Sequence, residues 1–342
     1  MAFTPIAKSS SFFNPTIYTG NGTVDTALTT GTFQPDLTWF KNRGTTESHM
    51  WMDAVRGATN YIQSNSTAQQ GTSADKISAF TSTGVTLGSG AETNENSQPL
   101  VCWAWKANGS GSANSDGSIN STVSVNTTSG FSIVQYTGTG SAATIGHGLG
   151  AVPKMIIVKR TNTTGGWTIY HSSVGNTKYL YLNTTDAEAT ASSIWNNTSP
   201  TSSVFTVGTD GEVNGSGSTY IAYCFADVQG FSKFSSYTGN GNADGAFVYT
   251  GFKPSFIVIK RQDQSTNWVV YDNKRDPSNV ASKVLLPDNS AAETSGSQLI
   301  DFLSNGFKLR STGNNTNDTS PYVYMAFGQS IVSTNNNIAT AF

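Results

Sequence analysis

Ser236-Tyr237-Thr238-Gly239-Asn240-Gly241 repeats, with a few exchanges, two earlier stretches: Ile17-Tyr18-Thr19-Gly20-Asn21-Gly22 and Gln135-Tyr136-Thr137-Gly138-Thr139-Gly140. Seventeen residues after each tyrosine stands a proline (Pro35, Pro153, Pro254), and twenty-three after it a lysine (Lys41, Lys159, Lys260). A tryptophan follows at offsets of 33, 31 and 31: Trp51, Trp167 and Trp268. Each copy closes on an apolar, aromatic-rich run, Leu100 to Trp105, Tyr220 to Phe225 and Tyr322 to Phe327. Shared offsets in three copies mark an internal repeat of about a hundred residues, and such a repeat governs the reading of the whole fold.

The copies run over 12–107, 130–228 and 231–330. Between the first two lies 108–129, rich in Gly, Ser, Asn and Thr, which reads as a flexible linker with at most a short strand at Val123–Val125. The second and third copies are joined almost directly, so the last two are expected to form a rigid pair from which the first hangs loosely. Removing 1–125 should then leave 130–342 folded. A polar tail, 331–342, is expected to need a neighbour for order.

After each proline comes a β-branched or aromatic run (Leu37 to Phe40, Met155 to Val158, Phe256 to Ile259), as in a strand buried on both faces. The proline stands at the strand entrance, where a missing N–H costs least. The tryptophan segments supply the partner strand. Five to seven short strands per copy predict an all-β chain of three tandem sandwich or jelly-roll-like modules. Helix is confined to a turn or two at 187–193 and 297–303.

Only 12% of the 342 residues are charged and the net charge is −2, against about 25% charged residues in ordinary soluble chains. No basic stripe marks a nucleic-acid partner, and no apolar run of about 18 residues marks a membrane span. Two cysteines, Cys102 and Cys224, cannot make a disulfide framework. With no secretory signal at the start of the sequence, a reducing cytoplasm is the expected place of synthesis.

Nothing reads as chemistry. The Tyr-Thr-Gly-X-Gly box lacks the following helix that a phosphate cradle needs, and reads as a hairpin turn. His147, between glycines, is read as an exposed ring in a tight turn, without a counterpart in the other copies. The three histidines (His49, His147, His171) fall at unrelated offsets, so no metal or cofactor site is expected. Acids near the tryptophans (Glu47, Asp53, Asp272, Asp276) leave a glycosidase pair open in principle, yet the second copy carries His171 and Ser172 there. The shared lysines read first as charges that keep a strand edge soluble, and second as contacts to a neighbouring subunit or acidic glycan. The tryptophans read as core, with glycan stacking as the lesser reading. Tyr18, Tyr136, Tyr237 and the three prolines read as structural.

The string Gly146 to Arg160, with Trp167 and Tyr220 to Ala226, resembles a module of tailed-bacteriophage structural proteins. It is similar to an uncharacterised domain family of marine and cyanobacterial phages, found in tail-fibre and minor tail proteins. The resemblance is clearest over 131–330 and extends to 14–106, departing at Asp36 and in a longer loop before Trp51. It implies a virion component assembled in the host cytoplasm, a tail fibre or receptor-binding protein, with no catalytic residue to carry over. Other virion proteins, further copies of the chain (as a trimer) and a host glycan or protein are the expected partners. Capsid decoration or a head fibre is the alternative, and a glycan depolymerase the third.

Overall fold

A computed structural model describes residues 4–332; the polar tail lies outside them from 333 onward. The chain is all-β, built of three sandwich-like modules of antiparallel sheets. Every module has one large sheet with the same core order: opening strand, closing strand, proline strand, partner strand. These are Phe13–Thr19, Pro99–Trp105, Leu37–Asn42 and Met50–Asp53 in the first module. The second has Phe131–Thr137, Thr219–Phe225, Met155–Arg160 and Trp167–His171. The third has Ser232–Thr238, Pro321–Gln329, Lys253–Arg261 and Val269–Asp272. A smaller sheet, begun by Thr26–Thr29, Ala143–Gly146 or Phe247–Tyr249, covers one face.

Strand alternation explains why these strands carry no polar face. One set of side chains (Phe40 and Met52, Ile156 and Val158, Ile257 and Ile259) meets the module's own small sheet. The alternate set (Leu37 and Trp39, Met155 and Ile157, Phe256 and Val258) enters one cluster common to all three modules. Phe13 lies 4.9 Å from Phe327, Trp51 5.2 Å from Tyr223 and Phe225 6.0 Å from Phe327, each pair crossing between modules. The modules therefore close into a ring about a shared aromatic core.

Several expectations need correcting on this point. The first module is not loosely hung: Trp39, Trp51, Trp103 and Trp105 are at most 2% exposed inside the common core. Residues 108–129 are no flexible linker. Ser112–Asn114 and Ser121–Asn126 form a hairpin that extends the second module's large sheet, with Val123 opposite Val134. Of the two helical stretches, 187–193 holds a short strand at Ala189–Thr190 and the start of a helix at Ser192–Trp195, while 297–303 contains the strand Ile300–Leu303; further helix occurs at Ala91–Asn94 and Gly211–Asn214.

The Tyr-Thr-Gly-X-Gly boxes are turns folded onto a buried asparagine. Asn94, Asn214 and Asn317 each accept the N–H of the residue between the glycines (2.8–3.0 Å) and donate to two carbonyls, for Asn214 those of Ser141 and Gly208. The first glycine of the box has no room for a side chain; a Cβ on Gly239 would stand 2.0 Å from the Asp318 carbonyl. The second has positive φ, +65°, +76° and +63°. The box tyrosine closes the motif by donating to Thr93, Val213 or Thr316. Asn214→Ala, which strands the buried Gly208 carbonyl and removes the partner of the Ser141 carbonyl and the Thr139 N–H, should cost about 2–3 kcal/mol in chemical denaturation. A loss below about 0.5 kcal/mol would show the turn to be independent of it.

Candidate functional site

The repeated polar residues converge on the seams between modules, and they do so cyclically. Lys159 Nζ donates to the Thr67 carbonyl of the first module, Lys260 Nζ to Thr185 of the second and Lys41 Nζ to Ser290 of the third. Each also donates within its own module, to Gly165, Thr266 and Glu47 respectively. The lysine residues are 0% exposed, so neither the edge-charge reading nor the glycan reading describes them. Burial pulls each ammonium pKa down to about 8, with nearby acids opposing the shift: Glu47 for Lys41, Glu212 for Lys159 and Asp288 for Lys260. Backbone pairs run alongside, Gln70 N–H to Thr161, Glu188 N–H to Gln262 and Glu293 N–H to Arg43. Those carbonyls belong to residues two positions beyond each lysine.

The tryptophans join the same seams, with one correction. Trp167 donates to the Gln63 carbonyl and Trp268 to that of Tyr181, both at 2.8 Å. Strand register pairs Lys159 with Trp167, while Trp51 lies opposite Trp39, where the other modules hold Ile169 and Val270. The true counterpart of Trp167 and Trp268 is His49, thirty-one residues after Tyr18, so the loop before it is not longer. His49 Nδ1 accepts from Trp39 (2.8 Å), and Nε2 turns toward the Leu286 carbonyl of the third module, short of full hydrogen-bond geometry. All three modules thus aim an aromatic N–H at the neighbour in the same rotational sense.

Thirty-five residues after each box tyrosine lies a third seam position, Asp53, His171 or Asp272. Tyr223 Oη donates to Asp53 (2.8 Å), Trp103 Nε1 donates to Asp272 (3.0 Å), and His171 Nε2 meets the Tyr324 carbonyl. Asp53 and Asp272 are locked in ion pairs with Arg56 and Arg275, every side chain at 0–1% exposure. Each of these two candidate acids is therefore taken up at a seam. Arg43 adds a bidentate pair with Glu293 where the third module meets the first.

His147 is not exposed. It is fully buried, with Nδ1 accepting from Leu149 N–H and Nε2 against the Thr201 carbonyl. Desolvation lowers the pKa of all three histidines, that of His171 to about 4. Since each is depressed below its unfolded value near 6.5, their contribution to stability is complete above about pH 6.5 and is lost as pH falls toward 4. The melting temperature should fall between about pH 7 and pH 5, and His171→Asn should shrink that fall. A flat profile in the wild type would rule the effect out.

Among the described residues no cluster of His, Cys, Asp or Glu could hold a metal ion, and no helix is long and apolar enough to cross a membrane. A recess of about 390 Å³ lies beside the third module's opening strand, bordered by Asp227, Gln229, Lys233 and Tyr249. Tyr249, which lines it, is 54% exposed, and Phe247, two residues earlier on the same strand and beside Gly306, is 48% exposed.

Fold and seams together define a closed, intramolecular threefold of β modules whose repeated lysines are buried at the seams. A single family model, described as a domain of unknown function (DUF7483), matches residues 8–330, spanning all three modules, and the chain belongs to that family. No curated protein and no solved structure matches it.

Proposed function

We propose that the chain is a virion structural protein of a tailed phage, a tail-fibre or receptor-binding component that attaches to the host surface. One observation carries this reading: the repeated polar residues are spent at the module seams, leaving a rigid ring with a low-charge, hydroxyl- and amide-rich exterior. A surface of that composition suits adaptable polar recognition. The resemblance of residues 131–330 to tail-fibre modules agrees with it. On this reading the chain is made in the host cytoplasm and its partners are other virion proteins, further copies of itself and a host glycan or protein. A threefold arrangement is already complete within one chain, so a homotrimer would be built through outer surfaces.

The compact ring of three modules suits capsid decoration or a head fibre as the second reading. Immunogold labelling of intact virions with antibody to the purified chain separates the two. Gold at the tail tip or fibres supports attachment, and gold over the head supports decoration. Absence of label from virions overturns both.

A further inference from the structure

The ring has three equivalent flanks, each a gap between the edge of an opening strand and the first strand of the small sheet. In the first module the chain fills it: Asn14 Nδ2 and Thr16 Oγ1 donate to the Thr30 carbonyl (2.6 and 3.3 Å), and Phe33 is buried beside them. In the second, the hairpin 112–126 pairs along the opening strand and Ile119 bridges to Ile145. In the third, the Lys233 side chain reaches across to the Tyr249 carbonyl, but no described segment fills the rest of the gap, which is the recess at Asp227, Gln229, Lys233 and Tyr249.

Two further observations mark this flank. On the strand Phe247–Tyr249, alternation buries Val248 and turns Phe247 and Tyr249 outward. By register the same two positions hold Ala27 and Thr29 in the first module, Thr144 and Gly146 in the second. Among the described residues, the aromatic pair is therefore found only on the flank that no segment fills. The opening-strand edge is also blunted against strand addition. Where the second module's Ile133 lies opposite Ser124 of the hairpin, the first has Pro15, and the third caps the Phe234 N–H with Asp227 Oδ1 (2.8 Å). An occupant must then be addressed by side chains rather than by backbone. Lys233 Nζ lies 5.3 Å from the Tyr249 ring centroid and donates to the Tyr249 carbonyl, steadying the ring.

A shallow concavity with exposed rings and a few polar groups, one acidic and one basic, fits a flat ligand with C–H faces and a hydroxyl rim. We propose that this flank binds a neutral oligosaccharide, with Phe247 and Tyr249 stacking on pyranose faces and Asp227, Gln229 and Lys233 taking hydroxyl groups. The proposal deepens the attachment reading and takes its biological meaning from it, although the binding itself is measured separately.

The test screens the full-length chain on an array of neutral and acidic bacterial-surface oligosaccharides and titrates the strongest neutral hit by calorimetry. Tyr249→Ser and Phe247→Ser should each weaken it about tenfold or more, the size expected for one lost stacking contact. Tyr249→Phe, and Val24→Ser at an exposed site on the first module, should leave it within about threefold. Thermal melts of every variant accompany the titrations; should a serine variant melt early, Phe247→Tyr must retain binding and Asp227→Asn must weaken it. No neutral hit, equal binding by the serine variants, or retention of only polyanions or peptides would overturn the proposal. Sugar binding without virion labelling would leave the site standing and sink the attachment reading; labelling without sugar binding would do the reverse.

Discussion

A fragment of residues 130–342 is expected to aggregate or to be digested throughout by a dilute protease, while the full chain resists. Sequence alone suggested the opposite, because the second and third modules are joined directly and each carries its own strands. The common core decides otherwise. Truncation removes Trp39, Trp51, Trp103 and Trp105, each of which buries about 150–250 Å². It leaves Trp167, Tyr223, Phe256 and Phe327, now 0–1% exposed, facing water on one side. An apolar patch of that size exceeds the few hundred Å² that monomers tolerate. Lys159 Nζ and Trp167 Nε1 lose the Thr67 and Gln63 carbonyls, and Tyr223 Oη loses Asp53. Limited proteolysis with size-exclusion chromatography checks this. A compact, monomeric, protease-resistant 130–342 would mean that the ring is not the folding unit.

The strands themselves were legible because Leu37–Phe40, Met155–Val158 and Phe256–Ile259 have no polar face. A strand buried on both sides reads the same whether a small sheet or another module supplies the second cover. The ring was therefore invisible while its strands were not. Side-chain identity also misled: matching Trp51 to Trp167 hid the constant offset of 31 that ends in His49. What the position holds is an aromatic nitrogen turned across the seam, which both tryptophans use in a hydrogen bond and which His49 supplies short of one. The lysines were found by spacing, but their partners are backbone carbonyls of loops 75 to 249 residues away in other modules. No side-chain pattern announces a carbonyl. Of the hairpin 112–126, the strand around Val123–Val125 was legible, while Ser112–Asn114 and the pairing escaped because the stretch is polar, with few apolar residues besides Ile119, Val123 and Val125. The aromatic pair at 247 and 249 sat unremarked in the sequence, since exposure on an open flank is a property of the assembled ring.

The seam between the third and first modules yields the second large effect. Asp272→Ala should destabilise the chain by about 3–5 kcal/mol in urea denaturation, because it leaves the Arg275 guanidinium buried without its carboxylate. The substitution also strips the acceptor from Trp103 Nε1 and from the N–H groups of Lys274 and Arg275. Glu293 still reaches Arg275 Nη1 at 2.9 Å, which keeps the guanidinium from being wholly orphaned. The second module shows what the same place looks like without an ion pair: His171 and Val174 stand where the third has Asp272 and Arg275, and the first Asp53 and Arg56. Evidently the fold needs a satisfied seam there rather than charge as such. Asp272→His with Arg275→Val, the second module's own solution, is accordingly expected to be less damaging than Asp272→Ala alone, despite changing two residues. That inversion follows from the cost of a lone buried charge against the small net value of a buried pair. If the double variant proves the less stable of the two, the pair is stabilising in its own right and the modules are not interchangeable at their seams.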